Sequence, residues 1–145
     1  MSVFQILEAK RGDGPGEVVS VDSETSVVDA VSLMSKHRIG AVLVMDGGRI
    51  AGILSERDVM HLIARDGAGA LSEPVTGAMT SKLVTCPKSE SVDRAMSLMT
   101  EGRFRHLPVM DGDDLIGMIS IGDVVKAKIE RAEHEVEDLK GYIAS

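Results

Sequence analysis

The sequence has no tryptophan, only 2% aromatic residues and a single cysteine among its 145 residues. The core must therefore be aliphatic, and the nine methionines are expected to fill gaps in it, with a Met-lined partner surface as the alternative. The single cysteine, Cys86, excludes an internal disulfide and fits a reducing compartment. Because Pro87 follows it in a β-rich stretch, we predict a buried apolar role for Cys86 rather than a nucleophilic one.

Long apolar runs and an excess of positive charge are also missing. No run approaches 18 apolar residues, so we predict no membrane-spanning helix. The first residues, MSVFQILEAKRG, contain no apolar h-region and no small-residue cleavage site, so we expect no signal peptide and a cytoplasmic protein. The net charge of −7 argues against a general binder of nucleic acids or anionic membranes, but it allows a small anion in a local basic pocket.

The chain contains an internal repeat. An offset of 65 residues aligns residues 18–60 with residues 83–125 without a gap, and 16 of the 43 aligned positions are identical. The stretch VMDG occurs in both copies, and so do a glycine, a serine and an aspartate at fixed spacing. Such regular self-similarity indicates two copies of one supersecondary unit.

Each copy predicts the element order β-α-β-β-α. A short strand, EVVSVD or KLVTCP, precedes a helix that begins at a polar pair and repeats apolar residues at i, i+3, i+4 and i+7. Two strands follow, AVLVMD and RIAGILS in the first copy and LPVMD and DLIGMIS in the second. Glycines between them permit the positive φ of a tight turn, at Gly47-Gly48 and around Gly112-Asp113. A second helix is predicted to begin at Ser55 or Ser120.

A three-stranded sheet with two helices cannot easily cover both of its faces. We therefore predict a mixed α/β (α+β) fold in which two units pack sheet to sheet with pseudo-two-fold symmetry. We divide the chain into residues 1–75, the N-terminal segment with the first motif, and residues 76–145, the second motif with a long C-terminal helix. The glycine-rich segment at 65–81, RDGAGALSEPVTGAMTS, links them.

Ser55 with Asp58, and Ser120 with Asp123, stand three residues apart at a predicted helix start. One interpretation is a capping box, in which each side chain bonds the backbone of the other. The other is a nucleoside phosphate site, because helix amides suit phosphate and a carboxylate suits two ribose hydroxyls. The glycine three residues before each serine would let a base or ribose approach the strand backbone. The duplication favours the ligand interpretation, and both remain open at this point.

The segments GILSERDV and GMISIGDVV, with RFRHLPVMDGDDLIGMIS, resemble a tandem pair of cystathionine-β-synthase (CBS) domains, the Bateman module. The resemblance covers residues from about Val18 to Lys128. It implies a stand-alone regulatory module that binds an adenosine-containing ligand (AMP, ADP, ATP or NAD(H)) in clefts between the two sheets and regulates a partner. It implies no obligatory cofactor and no metal.

The resemblance also implies roles for individual residues. The aspartates take the ribose hydroxyls and the serines lie near ribose or phosphate. The strand before the first helix frames the adenine, and the segment opening the second strand lines the cleft. The predicted ligand-binding residues are Ser20, Val21, Arg38, Ile39, Gly40, Ala41, Ser55, Arg57, Asp58, Thr85, Arg103, Phe104, Arg105, His106, Leu107, Pro108, Ser120 and Asp123.

The two copies differ in charge where phosphate would lie. The second carries Arg105 and His106 where the first has Gly40 and Ala41, and only the first has an arginine, Arg57, directly before its aspartate. Since guanidinium groups suit phosphate, Arg105 and His106 are the favoured phosphate ligands, with a solvated charged rim as the alternative. We therefore predict that the two clefts bind unequally.

A long helix is predicted after Asp123, ending at about Ile143. It carries a heptad-like apolar stripe with spacing 4-3-4-3-4: Val125, Ile129, Ala132, Val136, Leu139 and Ile143. This stripe can pack on its own domain or on a second chain. Because CBS pairs often form homodimers, we favour a dimer.

Patterns of catalysis are absent from the sequence. No Ser/His/Asp spacing suggests a triad, no pair of acids suggests acid–base catalysis, and no Cys/His cluster suggests a metal. Glu130 and His134, at i and i+4, are more typical of a solvated face than of a metal site. We therefore predict that the protein is not an enzyme, and the alternative function is ligand-independent structural dimerisation.

Overall fold

The structure is a computed structural model that describes residues 1–12 and 18–144. The chain forms two compact units, of which one is Val18–Leu83 and the other joins Met1–Glu17 to Val84–Ser145. We call these the first and second repeat units. The N-terminal segment is thus grouped with the second repeat, whereas our division of the sequence placed it with the first.

The chain begins with a helix that the sequence analysis did not predict, α1 (Val3–Gly12). Val3, Ile6 and Leu7 are at most 5% exposed and belong to the hydrophobic core of the second repeat unit. The amide of Val3 also donates to the carbonyl of Glu90, at 2.9 Å. Helix α1 is therefore an integral part of a unit whose other residues begin about 80 positions later.

The first repeat unit has the predicted order of elements. Strand β1 pairs parallel with β2, which pairs antiparallel with β3, and Ser26 caps the first helix by accepting from the amide of Asp29. Two short 3-10 helices follow in the predicted link, at Ala68–Ser72 and Val75–Gly77. The other elements are β1 (Ser20–Asp22), α2 (Val27–His37), β2 (Ala41–Asp46), β3 (Arg49–Ser55) and α3 (Glu56–Asp66).

The second repeat unit reproduces this arrangement, with Ser91 as the cap of its first helix. The repeat extends to irregularities, since the register of the strand pair shifts at Val44/Met45 in one unit and at Val109/Met110 in the other. Its elements are β4 (Cys86–Pro87), α4 (Val92–Gly102), β5 (His106–Asp111), β6 (Asp114–Ser120) and α5 (Ile121–Ala144). The predicted mixed α/β fold with two three-stranded sheets and a long C-terminal helix is therefore confirmed.

The hairpin strands were predicted closely, and the strand that opens each repeat was not. Strands β2 and β3 have the predicted bounds, and Gly47 and Gly112 adopt the expected positive φ of 57° and 61°. The strands predicted over EVVSVD and KLVTCP shrink to three and two residues, and Glu17 lies outside the described residues. Both are edge strands, and Pro87 has no amide to extend the pairing of β4.

The two cores are aliphatic, as predicted. Met34 and Met99 are buried among valines, leucines and alanines at equivalent positions of α2 and α4. Cys86 is 2% exposed, and its burial, with a smaller contribution from the charge of Glu90, raises the pKa of its thiol to about 11. The burial confirms the predicted packing role of Cys86, and the raised pKa disfavours the thiolate form that acts as a nucleophile.

Helix α5 spans 24 residues and extends to Ala144, close to the predicted end. Val125, Ile129, Val136, Leu139 and Ile143 of the stripe are 42–76% exposed in the single chain. Neither α5 nor any other helix in the described ranges combines the length and the hydrophobicity that crossing a membrane requires.

Candidate functional site

Helices α3 and α5 begin at the end of each sheet where the central strand, β2 or β5, also begins. In the first repeat unit, Ala41 opens β2 opposite Ser55, which ends β3. The amide of Glu56 then donates to the carbonyl of Gly40, at 3.0 Å. These contacts bring the first turn of α3 next to the segment that connects α2 to β2, as the site prediction requires.

Asp58 connects the end of β3 to the first turn of α3. We call Ser55 and Asp58 at this helix start the first corner, and Ser120 and Asp123 at the start of α5 the second corner. Its Oδ2 accepts from the amide of Ser55 at 2.8 Å and from the Ser55 hydroxyl at 2.9 Å, while the amide of Asp58 donates to Ser55 Oγ at 3.2 Å. The capping-box interpretation is therefore confirmed for this pair. The other carboxylate oxygen, Oδ1, accepts from the hydroxyl of Thr80 at 3.0 Å. Both carboxylate oxygens of Asp58 therefore accept hydrogen bonds from the chain itself.

Thr80 reaches Asp58 because its backbone pairs with the edge of β3. Ile53 and Thr80 exchange two backbone hydrogen bonds of 2.9 Å. A Cβ placed on Gly52 would lie 2.7 Å from the sulfur of Met79 and 2.8 Å from the carbonyl oxygen of Thr80. The close approach at Gly52 therefore belongs to the chain's own link segment, and not to a base or ribose as the sequence analysis expected.

The second corner has the same backbone geometry. His106 opens β5 opposite Ser120, and the amide of Ile121 donates to the carbonyl of Arg105 at 2.8 Å. The amide of Ser120 donates to Asp123 Oδ2 at 2.8 Å, and the amide of Asp123 donates to Ser120 Oγ at 3.1 Å. The repeat has therefore placed two aspartates in equivalent positions at the N-termini of two helices.

The additional partner of Asp123 is Lys10 of α1. The Lys10 ammonium donates to Asp123 Oδ2 at 2.9 Å and to the carbonyl of Met118 at 3.0 Å. Burial raises the pKa of this half-buried carboxyl, but the hydrogen bonds from Ser120 and Lys10 outweigh it, and the net pKa is lowered. Asp123 is thus a fixed anion with a fixed cation beside it.

Lys10 and Thr80 are the residues that the sequence analysis missed. Both approach an aspartate from segments outside the aligned repeat, residues 18–60 and 83–125, over separations of 113 and 22 residues. Leu7 of α1 lies over Gly117, and a Cβ placed on that glycine would be 2.6 Å from the Leu7 side chain. Met79 lies over Gly52 in the equivalent position of the first repeat unit. No local pattern in the sequence could have shown these contacts, because each depends on how a remote segment packs.

Arg38 and Arg103 end the first helix of each repeat in the left-handed conformation, with φ of 55° and 57°. Their amides donate back to the carbonyls of Met34 and Met99. For a residue with a side chain this conformation costs about 1 kcal/mol, so glycine is the usual choice at such an end. Both repeats nevertheless have an arginine at this position. Its side chain is exposed, and it belongs to the segment that connects the first helix of the repeat to the central strand.

The remaining predicted ligand residues divide into accessible and buried positions. Ser20, Arg57, Thr85 and Arg105 are exposed. Val21, Ile39, Phe104 and His106 are half-buried, and Ile39 and Phe104 pack on the cores of their own units. Ala41, Leu107 and Pro108 are buried, so their side chains have packing roles within their units.

Among residues 1–12 and 18–144, no three His, Cys, Asp or Glu side chains cluster as metal ligands. Glu130 and His134 lie on exposed turns of α5, where His134 Nε2 lies 3.6 Å from Asp138. Each corner presents carboxylate oxygens, which can accept from hydroxyl groups, beside a helix N-terminus, which suits anions.

Comparison with known proteins gives a consistent result. The family model described as the CBS domain matches residues 16–65 and 75–130. The chain is 36% identical over 147 residues to the mitochondrial CBS domain-containing protein CBSX3 of Arabidopsis thaliana, an alignment that covers 98% of this chain and 71% of the relative.

Solved structures agree with the sequence comparison. A signal-transduction protein with CBS domains from Burkholderia ambifaria is 45% identical with a TM-score of 0.84, and the match covers 90% of this chain and 95% of that one. The structure of CBSX2 in complex with AMP is 27% identical with a TM-score of 0.68, covering 81% of this chain and 92% of that one.

Proposed function

The chain belongs to the CBS-domain family, and we propose that it is a regulatory module that binds adenosine-containing ligands at its two aspartate corners. The observation that carries this proposal is the duplicated corner, in which a serine and an aspartate meet at a helix N-terminus twice with the same backbone geometry. Each aspartate also closes a capping box with its serine, so the proposal adds a ligand role to this structural one. The structure of CBSX2, described in complex with AMP, supports the choice of ligand class.

The corners suit a nucleoside for three chemical reasons. Asp58 and Asp123 offer carboxylate oxygens to the two ribose hydroxyls. The helix N-termini beside them carry partial positive charge, which favours phosphate. Arg105 and His106 bring a guanidinium and an imidazole to the second corner, where donors of this kind favour an anionic ligand over an uncharged one. AMP, ADP, ATP and NAD(H) all fit this description, so we propose an adenine nucleotide as the ligand.

We propose regulation rather than catalysis as the outcome of binding. A ligand that prefers one of two shapes of the module shifts the population towards that shape, and a partner protein can respond to the shift. Binding at two corners with different neighbours would let the module report an energy or redox state. The net charge of −7 supports a protein partner over a nucleic acid, and the one buried cysteine fits a reducing cytoplasm.

The proposal predicts that an adenine nucleotide stabilises the protein against heat. A ligand at 100 times its Kd adds about 2.7 kcal/mol, which raises the Tm of a chain of this size by about 5–10 °C. Dye-based thermal shift would be measured with AMP, ADP, ATP, NAD⁺, NADH and S-adenosylmethionine at millimolar concentration. Adenine without ribose is the control and should shift the Tm much less. No shift with any of these six adenosine-containing ligands would refute the proposed function.

We also propose that the protein forms a homodimer through the stripe on α5. The exposed Val125, Ile129, Val136, Leu139 and Ile143 follow a heptad-like spacing, which is the pattern of a helix that packs on another helix. Light scattering at micromolar concentration should give twice the chain mass for the native protein.

The double substitution Val136→Glu with Leu139→Glu should give the mass of a single chain, because two charges would enter the contact. Glu133→Gln with Glu137→Gln on the same exposed turns should leave the dimer intact. A native protein of single-chain mass contradicts the dimer. A stable dimer that binds none of the nucleotides would instead favour the structural dimerisation protein.

A further inference from the structure

The two aspartates differ in the charge of the remote side chain that is hydrogen-bonded to each of them. The additional partner of Asp58 is the neutral hydroxyl of Thr80, at 3.0 Å, whereas that of Asp123 is the ammonium of Lys10, at 2.9 Å. A hydroxyl leaves the negative charge of the carboxylate in place, while an ammonium balances it. The carboxylate of Asp123 therefore repels an approaching anionic group less than the carboxylate of Asp58 does.

Lys10 also stands in a groove of about 650 Å³ between α1 and α5. The groove runs from Asp123 along α5 as far as His134, and Ile6 and Ala127 supply part of its apolar lining. Its charged residues are Lys10, Lys126 and Arg131 against Asp123 and Glu130, with His134 at the far end. In a chain with a net charge of −7, this excess of cations runs against the overall balance.

The lysines in this groove have donors to offer. An ammonium carries three protons, and Asp123 and the carbonyl of Met118 accept two of those of Lys10, so this group can donate to a phosphate oxygen while keeping both contacts. In the ranges that the structure describes, Lys126 has no carboxylate within ion-pair distance. Lys10 lies outside the segments matched by the CBS family model, so the family motif does not account for it.

We propose that Lys10 and Lys126 form an anion subsite beside Asp123, which receives the phosphate groups of a nucleotide whose ribose Asp123 holds. The inference rests on the proposed function and narrows it. The second repeat unit takes the phosphorylated members of the ligand class, such as AMP, in preference to uncharged adenosine. The first repeat unit, with Thr80 in the corresponding place, lacks this preference.

Calorimetric titration with AMP and with adenosine tests the proposal, using Asp58→Ala as the background so that the second corner is observed alone. Lys10→Met and Lys126→Met should each weaken AMP binding about tenfold, the loss expected for one charge-assisted contact. The affinity for adenosine should change less than about twofold, because adenosine has no phosphate for these lysines to contact. Lys10→Arg should retain most of the AMP affinity. The matched control is Lys88→Met, which removes an exposed lysine paired with Asp111 at 3.0 Å outside the groove.

Three results would count against the subsite, and they differ from one another. Equal loss of AMP and adenosine in Lys10→Met would show that Lys10 only holds α1 in place, and would overturn the subsite. Equal affinity of the unsubstituted second corner for AMP and adenosine would overturn it as well. Failure of the wild-type protein to bind AMP or adenosine would also overturn the subsite, whereas only failure to bind every one of the six adenosine-containing ligands would refute the proposed function on which it rests.

Discussion

Replacing Leu7 by alanine is expected to destabilise the second repeat unit by about 3 kcal/mol, the usual cost of removing a buried leucine from a packed core. Leu7 is 4% exposed, and its methyl groups lie against the Cα of Gly117 on β6. The surrounding backbone cannot easily close the resulting cavity, because β6 is held on one side by its pairing with β5. Urea unfolding followed by circular dichroism measures the loss.

Two further measurements make the result specific. Glu8→Ala, on the exposed face of the same helix, should change the free energy of unfolding by less than about 0.5 kcal/mol. Hydrogen exchange should speed up in β5 and β6 of the Leu7→Ala variant and remain slow in β2 and β3. Unchanged exchange in β5 and β6 would show that α1 does not belong to the core of the second repeat.

Asp58→Ala and Asp123→Ala are each expected to weaken nucleotide binding at their own corner by about 100-fold. A carboxylate that accepts from two ribose hydroxyls contributes about 1.5 kcal/mol per charged hydrogen bond, or about 3 kcal/mol in total. Calorimetry with AMP should therefore lose one of two binding events in each variant. Because Lys10 balances the charge of Asp123 only, we expect the two events in the wild type to differ in affinity.

These substitutions also remove a helix cap, so the controls must match that loss. Ser26→Ala removes the cap of α2, and Ser91→Ala removes the cap of α4, each at a cost of about 1 kcal/mol and away from either aspartate. They should lower the Tm as much as the aspartate variants while leaving the titration unchanged. Two identical and independent sites in the wild type would contradict the predicted inequality. An unchanged titration in both aspartate variants would contradict the ribose role itself.

The elements that the sequence predicted are those whose signals are local. The hairpins β2–β3 and β5–β6 combine continuous apolar runs with a glycine that supplies the positive φ of the turn. The helices α2 and α4 begin at a serine and repeat apolar residues over two turns. Each of these signals occurs twice, and the comparison of the two copies removed most of the ambiguity of a single short pattern.

The elements that the sequence did not predict depend on remote packing. In α1 the apolar spacing of Val3, Ile6 and Leu7 covers little more than one turn, which is too short to identify a helix. The contacts of Lys10 and Thr80 with the aspartates have no local pattern at all. The candidate site was therefore predictable in its repeated half, and the neighbours that distinguish one corner from the other were not.

The placement of α1 makes one repeat an insertion within the other. The first repeat, Val18–Leu83, follows α1 and precedes β4, so the second repeat is discontinuous in the chain. As the polypeptide leaves the ribosome, α1 emerges before the first repeat unit, yet the core that covers its apolar face is synthesised after that unit. Closing this gap of about 70 residues carries a loop entropy that a contiguous repeat would not incur. A single proteolytic cut between the two repeats therefore cannot release each repeat unit whole. Helix α1 would stay attached to the first repeat unit, and the product that contains the rest of the second repeat unit would lack it.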